Sequence, residues 1–189
     1  MSSATWYSEG RTETINGLDV FFRINGKGEP LVCIHGFPSS SWDFDAIWPS
    51  ITERFEVLTH DLIGLGKSAK PAQPLPISLQ ADIIEALATR TGIRKTHILA
   101  HDLGDTIAQE LLARQMEKSS KVTWLSCVFM NGGLFPETHR ALFIQKLLLS
   151  SLGPLLSDLC LKSRLKRASP RFSVKHTHHR TNSYIQHGN

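Results

Sequence analysis

The chain has 189 residues, of which 41% are hydrophobic and 20% are charged, and its formal net charge is +4. This length and composition suit one globular domain with a sizeable core. Because no apolar run approaches the roughly 18 residues of a membrane span, and the N-terminus lacks the basic and apolar segments of a secretory signal, we expect no transmembrane segment and a cytoplasmic location.

The first half of the chain predicts short strands separated by turns and helices. Residues 17–24, 31–34 and 55–59 are rich in β-branched and aromatic residues, and each run is bounded by turn residues. The serines at 39–41 are N-caps for a short helix. Apolar residues at spacings of three and four predict a longer helix from 78 to about 90.

Strand and helix patterns continue to alternate further along the chain. Residues 97–100 and 122–130 predict strands, and residues 106–116 predict a helix between them. Short apolar strands that alternate with helices indicate the α/β class, with a doubly wound, mostly parallel sheet. The region 139–152 is weakly amphipathic, and the periodicity ends at residue 162.

The positive charge is concentrated at the end of the sequence. Residues 162–189 contain seven Lys or Arg and no Asp or Glu, and the rest of the chain carries a net charge of −3. Only Phe172 and Tyr184 are aromatic in this tail, so nucleic-acid binding is not expected. The three cysteines lie in apolar runs without the spacing of a metal site, which predicts reduced thiols, no metal and no cofactor.

Three motifs follow predicted strands, at the sheet edge where ligands bind in open parallel sheets. They are HGFP at 35–38, DLIGLGKS at 61–68 and AHDLGD at 100–105. The glycine spacing of the second motif is not that of a phosphate-binding loop, so we expect a structural turn on the pocket floor.

The third motif predicts a nucleophile at Asp102. Ala100 and Gly104 are small residues two positions before and after it, as a sharp strand-to-helix elbow requires. An ionised carboxylate there can attack an sp³ carbon, and the backbone N–H groups of Phe37 and Leu103 would form the oxyanion hole. The alternative is that Asp102 is an ordinary helix N-cap; the order of the three motifs favours the nucleophile.

These motifs resemble the α/β-hydrolase fold, in particular its epoxide hydrolase and haloalkane dehalogenase branch, in which an aspartate occupies the elbow. Within that branch, HDLGDTIAQELLAR from His101 and NGGLFPETHR from Asn131 are most similar to the mesoderm-specific transcript family. The resemblance covers about residues 15–160. It implies a hydrolase that forms an alkyl-enzyme ester with a small apolar epoxide- or ester-like substrate, and it leaves membrane association open.

The resemblance also implies the neighbours of the nucleophile and the organisation of the chain. Five residues are expected to line the pocket: His35, Gly36, Asp61, His101 and Asn131. Residues 1–135 would form the N-terminal part of the hydrolase core, residues 136–161 the start of a lid, and residues 162–189 a basic, disordered tail. Leu103 replaces the tryptophan that helps dehalogenases to hold the halide, which weakens a dehalogenase assignment.

A second interpretation follows from the same resemblance. The family's catalytic acid and histidine lie downstream of the aligned region, and the tail histidines 176, 178, 179 and 187 lack a packed frame that would hold a base. The chain would then be a catalytically inactive, truncated product with a sheet that is incomplete at its C-terminal side. Such a sheet would expose an edge and self-associate through it.

Overall fold

The computed structural model of the protein describes residues 2–132, which contain one six-stranded sheet with helices on both faces. The strands are β1 Arg11–Ile15, β2 Leu18–Asn25, β3 Glu29–Ile34, β4 Phe55–His60, β5 Lys95–His101 and β6 Thr123–Met130. The α-helices are α1 Ser3–Ser8, α2 Trp48–Thr52, α3 Ile77–Arg90 and α4 Leu103–Met116, and a 3₁₀ helix covers Ser41–Phe44.

The strand order across the sheet is β1-β2-β4-β3-β5-β6. The four strands from β4 to β6 are parallel, whereas β1 and β2 pair antiparallel with each other and β2 pairs antiparallel with β4. The predicted mostly parallel sheet is therefore confirmed. Ile34 pairs with Ala100 at the carboxyl ends of β3 and β5, so the HGFP and AHDLGD motifs emerge side by side.

One face of the sheet carries the larger core, beneath α3 and α4. Ile83 and Leu87 of α3, and Ile107 and Leu111 of α4, are fully buried, and each pair has the four-residue spacing of a single helix face. They pack against strand residues that include Val32. The helical periodicity of the sequence therefore places both helices correctly.

The opposite face carries a smaller, aromatic cluster that includes α1. Trp6 is fully buried and packs edge-to-face on Trp48, at 4.9 Å between ring centroids. The guanidinium of Arg23 lies 4.0 Å from the Trp6 ring and 4.8 Å from the Trp48 ring, and it pairs with Glu9. Burial lowers the pKa of Arg23, and the Glu9 carboxylate partly offsets this.

The N-terminal elements α1 and β1 were not predicted from the sequence. Helix α1 has only six residues and a single buried side chain, Trp6, so it has no repeating apolar pattern. Strand β1 has one buried residue, Ile15. Helix α1 packs through Trp6 into the aromatic cluster, and β1 joins the sheet by pairing with β2.

The other expectations from the sequence concern the cysteines, a membrane span, the lid and the basic tail. Cys33 is buried and Cys127 is half-buried, and neither forms a disulfide. Of the helices between residues 2 and 132, none is long and apolar enough to cross a membrane. The predicted start of a lid at 136–161 and the basic tail at 162–189 lie outside the described residues.

Candidate functional site

The turn from β5 to α4 places Asp102 in a strained backbone conformation. Its φ is 55° and its ψ is −113°, which only glycine adopts without cost, and such strain is worth roughly 1–3 kcal/mol. An ordinary N-cap has extended dihedrals, and its side chain accepts from the second or third helical N–H. Asp102 instead accepts from the first, that of Leu103. This geometry differs from a simple cap.

Two backbone N–H groups converge on one carboxylate oxygen of Asp102. Its Oδ1 accepts from the N–H of Leu103 at 2.6 Å and from the N–H of Phe37 at 2.9 Å. These are the two donors that the sequence analysis assigned to an oxyanion hole. Negative charge that develops on this oxygen would meet donors already in place.

The direction of the Phe37 N–H is set by the Gly36 carbonyl, which belongs to the same peptide group. The carbonyl oxygen of Gly36 accepts from His35 Nδ1 at 2.8 Å, from Ser39 Oγ at 2.9 Å and from Ser39 N–H at 3.3 Å. Since the N–H and C=O of a trans peptide point in opposite directions, fixing this carbonyl directs the Phe37 N–H towards Asp102.

His35 has a structural role in this arrangement. Its Nε2 accepts from the Leu62 N–H at 2.9 Å, so Nδ1 carries the ring proton that is donated to the Gly36 carbonyl. The ring is fully buried, and burial lowers the pKa of His35. A neutral imidazole is therefore held between two backbone segments.

Two glycines allow the turns to approach each other closely. A Cβ at Gly36 would lie 2.5 Å from Asp102 Cβ and 2.8 Å from Asp102 Oδ1. A Cβ at Gly104 would lie 2.4 Å from the carbonyl oxygen of Ile34. Larger residues at either position would separate the HGFP turn from Asp102.

Asp61 directly follows β4, and both of its carboxylate oxygens accept hydrogen bonds. Oδ1 accepts from the N–H of Ser41 at 2.8 Å and from its hydroxyl at 2.6 Å, and Oδ2 accepts from the Lys67 N–H at 2.6 Å. The side chain is fully buried. Asp61 therefore joins two loops, and these contacts are those of a structural residue.

The end of β6 completes the surroundings of the turn. The carbonyl oxygen of Met130 accepts from the Asp102 N–H at 3.0 Å, and Asn131 follows with φ 60°. Asp105 is buried and accepts from the Met130 N–H at 3.3 Å. In the sequence, Asp105 is distinguished only as one residue of the HDLGDTIAQELLAR motif, and its burial is seen only in the structure.

The sequence of residues 29–155 matches the family described as alpha/beta hydrolase fold. This match covers more than half of the chain, and the strand order and the β5–α4 turn agree with it. The chain belongs to the α/β hydrolase fold family.

Similar proteins agree with the branch proposed from the motifs. The human mesoderm-specific transcript homolog protein is 42% identical over 167 residues, which are 82% of this chain and 50% of that protein. A soluble epoxide hydrolase of Corynebacterium sp. is 34% identical over 94 residues, 50% of this chain and 33% of that protein. The chain thus spans about half the length of the mesoderm-specific transcript relatives that it matches.

A solved structure of the fold also resembles the protein. A haloalkane dehalogenase loop variant, DbeA-M1 from Bradyrhizobium elkanii, has a TM-score of 0.65 at 21% identity, covering 88% of this chain and 60% of that one. At this identity the likeness concerns the fold alone. It confirms the α/β hydrolase architecture.

Three further histidines lie within residues 2–132: one is buried, one bonds to a serine, and one precedes Asp102 in the sequence. His60 is fully buried, and burial lowers its pKa to about 3. His97 bonds to Ser126 Oγ at 2.7 Å through Nδ1. His101 is half-buried and immediately precedes Asp102. Within residues 2–132, no group of three or more His, Cys, Asp or Glu could hold a metal ion.

Proposed function

We propose that this protein is a hydrolase in which Asp102 is the nucleophile and forms an alkyl-enzyme ester with a small apolar epoxide- or ester-like substrate. The α/β hydrolase fold supports the hydrolase class. The observation that carries the finer proposal is the convergence of the Phe37 and Leu103 N–H groups on Oδ1 of a strained aspartate.

In the proposed first step, Asp102 opens an epoxide. Its oxygen not held by Phe37 and Leu103, Oδ2, attacks an sp³ ring carbon, the carbon–oxygen bond of the ring breaks, and the released alkoxide takes a proton from water. The product of this step is an ester between Asp102 and the substrate. The remaining oxygen, Oδ1, becomes the ester carbonyl and keeps both N–H donors.

In the proposed second step, water attacks the acyl carbon of the ester. Negative charge then develops on Oδ1, where Phe37 and Leu103 donate, and the alcohol leaves as the carboxylate reforms. This step needs a base to take a proton from the water. Among residues 2–132, no histidine hydrogen-bonds to Asp102, so we expect the ester to form faster than these residues can release it.

The surroundings of Asp102 favour an epoxide over a haloalkane. Phe37 is 62% exposed and offers apolar surface beside the carboxylate. Leu103 has no side-chain N–H, whereas a departing halide ion requires donors. The alkoxide released from an epoxide, in contrast, can take its proton from water, as in the first step.

The proposal is tested by mass spectrometry of the intact protein and of its proteolytic peptides after incubation with styrene oxide in ¹⁸O-labelled water. We expect an adduct on the peptide that contains Asp102, and its absence in Asp102→Asn. Multiple turnovers would instead place ¹⁸O in the Asp102 carboxylate, because water attacks its acyl carbon. The matched control is Asp82→Asn, an exposed aspartate on α3. Product formation that survives Asp102→Asn would contradict the proposal.

We also propose that the protein self-associates through β6. This strand contains no charged residue, and Leu125 and Val128 are 50% and 54% exposed. In the described part of the chain, β6 pairs only with β5, and an uncharged edge strand favours pairing with a second copy. Leu125→Lys should shift the protein towards the monomer in light scattering, whereas Met116→Lys, at an exposed residue on α4, should not.

A further inference from the structure

We propose that Asp105 is a positioning residue that holds the β5–α4 turn, and so keeps the Asp102 carboxylate on its two N–H donors. This role rests on the function proposed for Asp102. It concerns a residue that neither touches substrate nor shares a hydrogen bond with the Asp102 carboxylate.

Three hydrogen bonds form a closed ring around the turn. The Asp102 N–H donates to the Met130 carbonyl at 3.0 Å, the Met130 N–H donates to Asp105 Oδ1 at 3.3 Å, and the Asp105 N–H donates to the Asp102 carbonyl at 3.0 Å. Each of the three residues contributes one donor and one acceptor. The Asp105 side chain is the one member of this ring that a substitution can remove.

The second oxygen of Asp105 faces Gly132, the second residue after β6. A Cβ at Gly132 would lie 2.1 Å from Asp105 Oδ2, so the backbone of Gly132 lies directly against the carboxylate. Oδ2 is buried and, within residues 2–132, has no hydrogen bond of normal geometry. Asp105 thus bonds to the last residue of β6 and lies against the backbone of Gly132.

This arrangement costs stability, which argues for a role beyond folding. Asp105 is 1% exposed, and burial raises its pKa, although the Met130 and Gly132 amides partly offset this. Placement in the first turn of a helix gains only about 0.3–1 kcal/mol from the helix dipole. Buried, incompletely satisfied acids cluster at functional sites because geometry there matters more than stability.

Removal of Asp105 should release the strain at Asp102. Without an acceptor at position 105, the Met130 N–H loses its partner and the ring opens. The backbone of Asp102 can then relax from its positive φ, and Oδ1 moves away from the Phe37 N–H. The rate of ester formation should fall, while the substrate concentration at half-maximal rate should stay the same.

The test is amide hydrogen exchange of the whole chain by NMR, with Asp105→Ala and the conservative Asp105→Asn. In Asp105→Ala we expect the Phe37 and Leu103 amides to exchange about tenfold faster, the effect of losing one hydrogen bond. Asp105→Asn keeps an acceptor oxygen and should restore slow exchange. If Asp105→Ala does not fold, Asp105→Leu preserves the volume and gives the same readout.

The matched control is Glu85→Gln. Glu85 is another buried acid on a helix, and it accepts from the Ser120 hydroxyl and the Lys121 N–H. Its substitution should lower global stability and leave the Phe37 and Leu103 amides unchanged relative to other amides. If Asp105→Ala gives the same pattern as this control, the positioning role is overturned.

Kinetics of ester formation separate this inference from the proposed function. With styrene oxide, Asp105→Ala should lower the maximal rate at least tenfold with an unchanged half-saturation concentration, and Asp105→Asn should recover most of the rate. An equal rate in Asp105→Ala and the parent protein overturns the inference. If the parent protein forms no ester and the exchange pattern is as expected, the hydrolase mechanism fails and the positioning role stands.

Discussion

Two groups of acids in this protein have opposite surroundings. Asp61 accepts three hydrogen bonds, and Glu85 accepts two while also lying 3.3 Å from the guanidinium of Arg114. At the β5–α4 turn, Asp102 has a strained backbone, and Asp105 accepts one bond of 3.3 Å through its side chain. The acids of the first group connect parts of the fold through saturated oxygens, whereas backbone strain and an unsatisfied buried oxygen, as at the turn, are features that cluster at functional sites.

The positions of the two groups explain this difference. Glu85 and Arg114 connect α3 to α4, and Asp61 connects loops, so their contacts can be satisfied without regard to a ligand. Asp102 lies at the carboxyl end of β5, where the chain must turn sharply and leave one side accessible. Among residues 2–132, the turn provides N–H donors to Oδ1 of Asp102 and none to Oδ2.

The largest effect is expected from crowding the turn itself. Gly36→Ala should slow ester formation at least about 100-fold, because its Cβ would overlap Asp102 Cβ at 2.5 Å and displace Oδ1 from the Phe37 N–H. Single-turnover mass spectrometry measures this rate. Gly92→Ala is the control: a Cβ there meets nothing within 4 Å, and its φ of 85° strains the backbone at the end of α3, which should lower stability without crowding the turn. Equal rates in both variants would show that the close approach at Gly36 is not required.

Disrupting the contact between Arg114 and Glu85 should lower the free energy of unfolding and leave the rate of ester formation unchanged. Arg114→Met leaves the buried carboxylate of Glu85 without its cation, and we expect a loss of about 2–3 kcal/mol, discounted for the 16% exposure of the Arg114 side chain. Urea denaturation measures the loss. Arg90→Met removes an exposed pair with Glu13 and should cost less than about 1 kcal/mol. A change in ester formation by folded Arg114→Met would contradict the separation of the two groups.

Acid should destabilise the protein through His60. Its pKa is lowered to about 3 in the folded state, against an ordinary value of 6.5, so the unfolded chain binds the proton first as the pH falls. The contribution is fully present above pH 6.5 and should decline by about 1.4 kcal/mol per pH unit below it. Urea titrations from pH 5 to 8 should show this slope, and His60→Leu should reduce it. An unchanged slope in that variant would exclude His60 as its source.

The smallest effect is expected from Asp105→Asn. Unlike the other substitutions, it should raise the stability of the protein. Because burial raises the pKa of Asp105 in the folded state, its contribution to stability is lost as the pH rises through that value. Asp105→Asn should therefore be more stable than the parent protein at pH 7, and the difference should narrow towards pH 4. Thermal melts at several pH values test this. A variant that is less stable at pH 7 would mean that the carboxylate stabilises the fold.

Much of the fold was predictable because its signals are local. The apolar spacing in α3 and α4 and the β-rich runs of β2 to β6 each depend on neighbouring residues in the sequence. Helix α1 was missed because it buries one residue, Trp6, against the distant Trp48. Strand β1 was missed because only Ile15 is buried, so it has no alternating apolar pattern, although it pairs with the adjacent strand β2. The antiparallel pairing of β2 with β4 likewise depends on long-range contacts that no short pattern contains.

The candidate site was predictable in its residue types more than in its contacts. The small residues around Asp102 indicated a sharp turn, and the structure has one. His35 and Asp61 were expected as pocket neighbours, and their hydrogen bonds are those of structural residues. Asp105 was not selected as a site residue because its partner, Met130, is 25 positions away in the sequence.

The sequence by itself determined the alternation of strands and helices, the order of the three motifs and the presence of an acid between small residues. Only the tertiary structure decided that the N–H of Phe37, 65 positions from Asp102, meets the same oxygen as the N–H of Leu103. It also decided that Met130 joins Asp102 to Asp105. The physical reason is strand register, since the pairing of β3 and β6 with β5 fixes which backbone groups lie beside the turn.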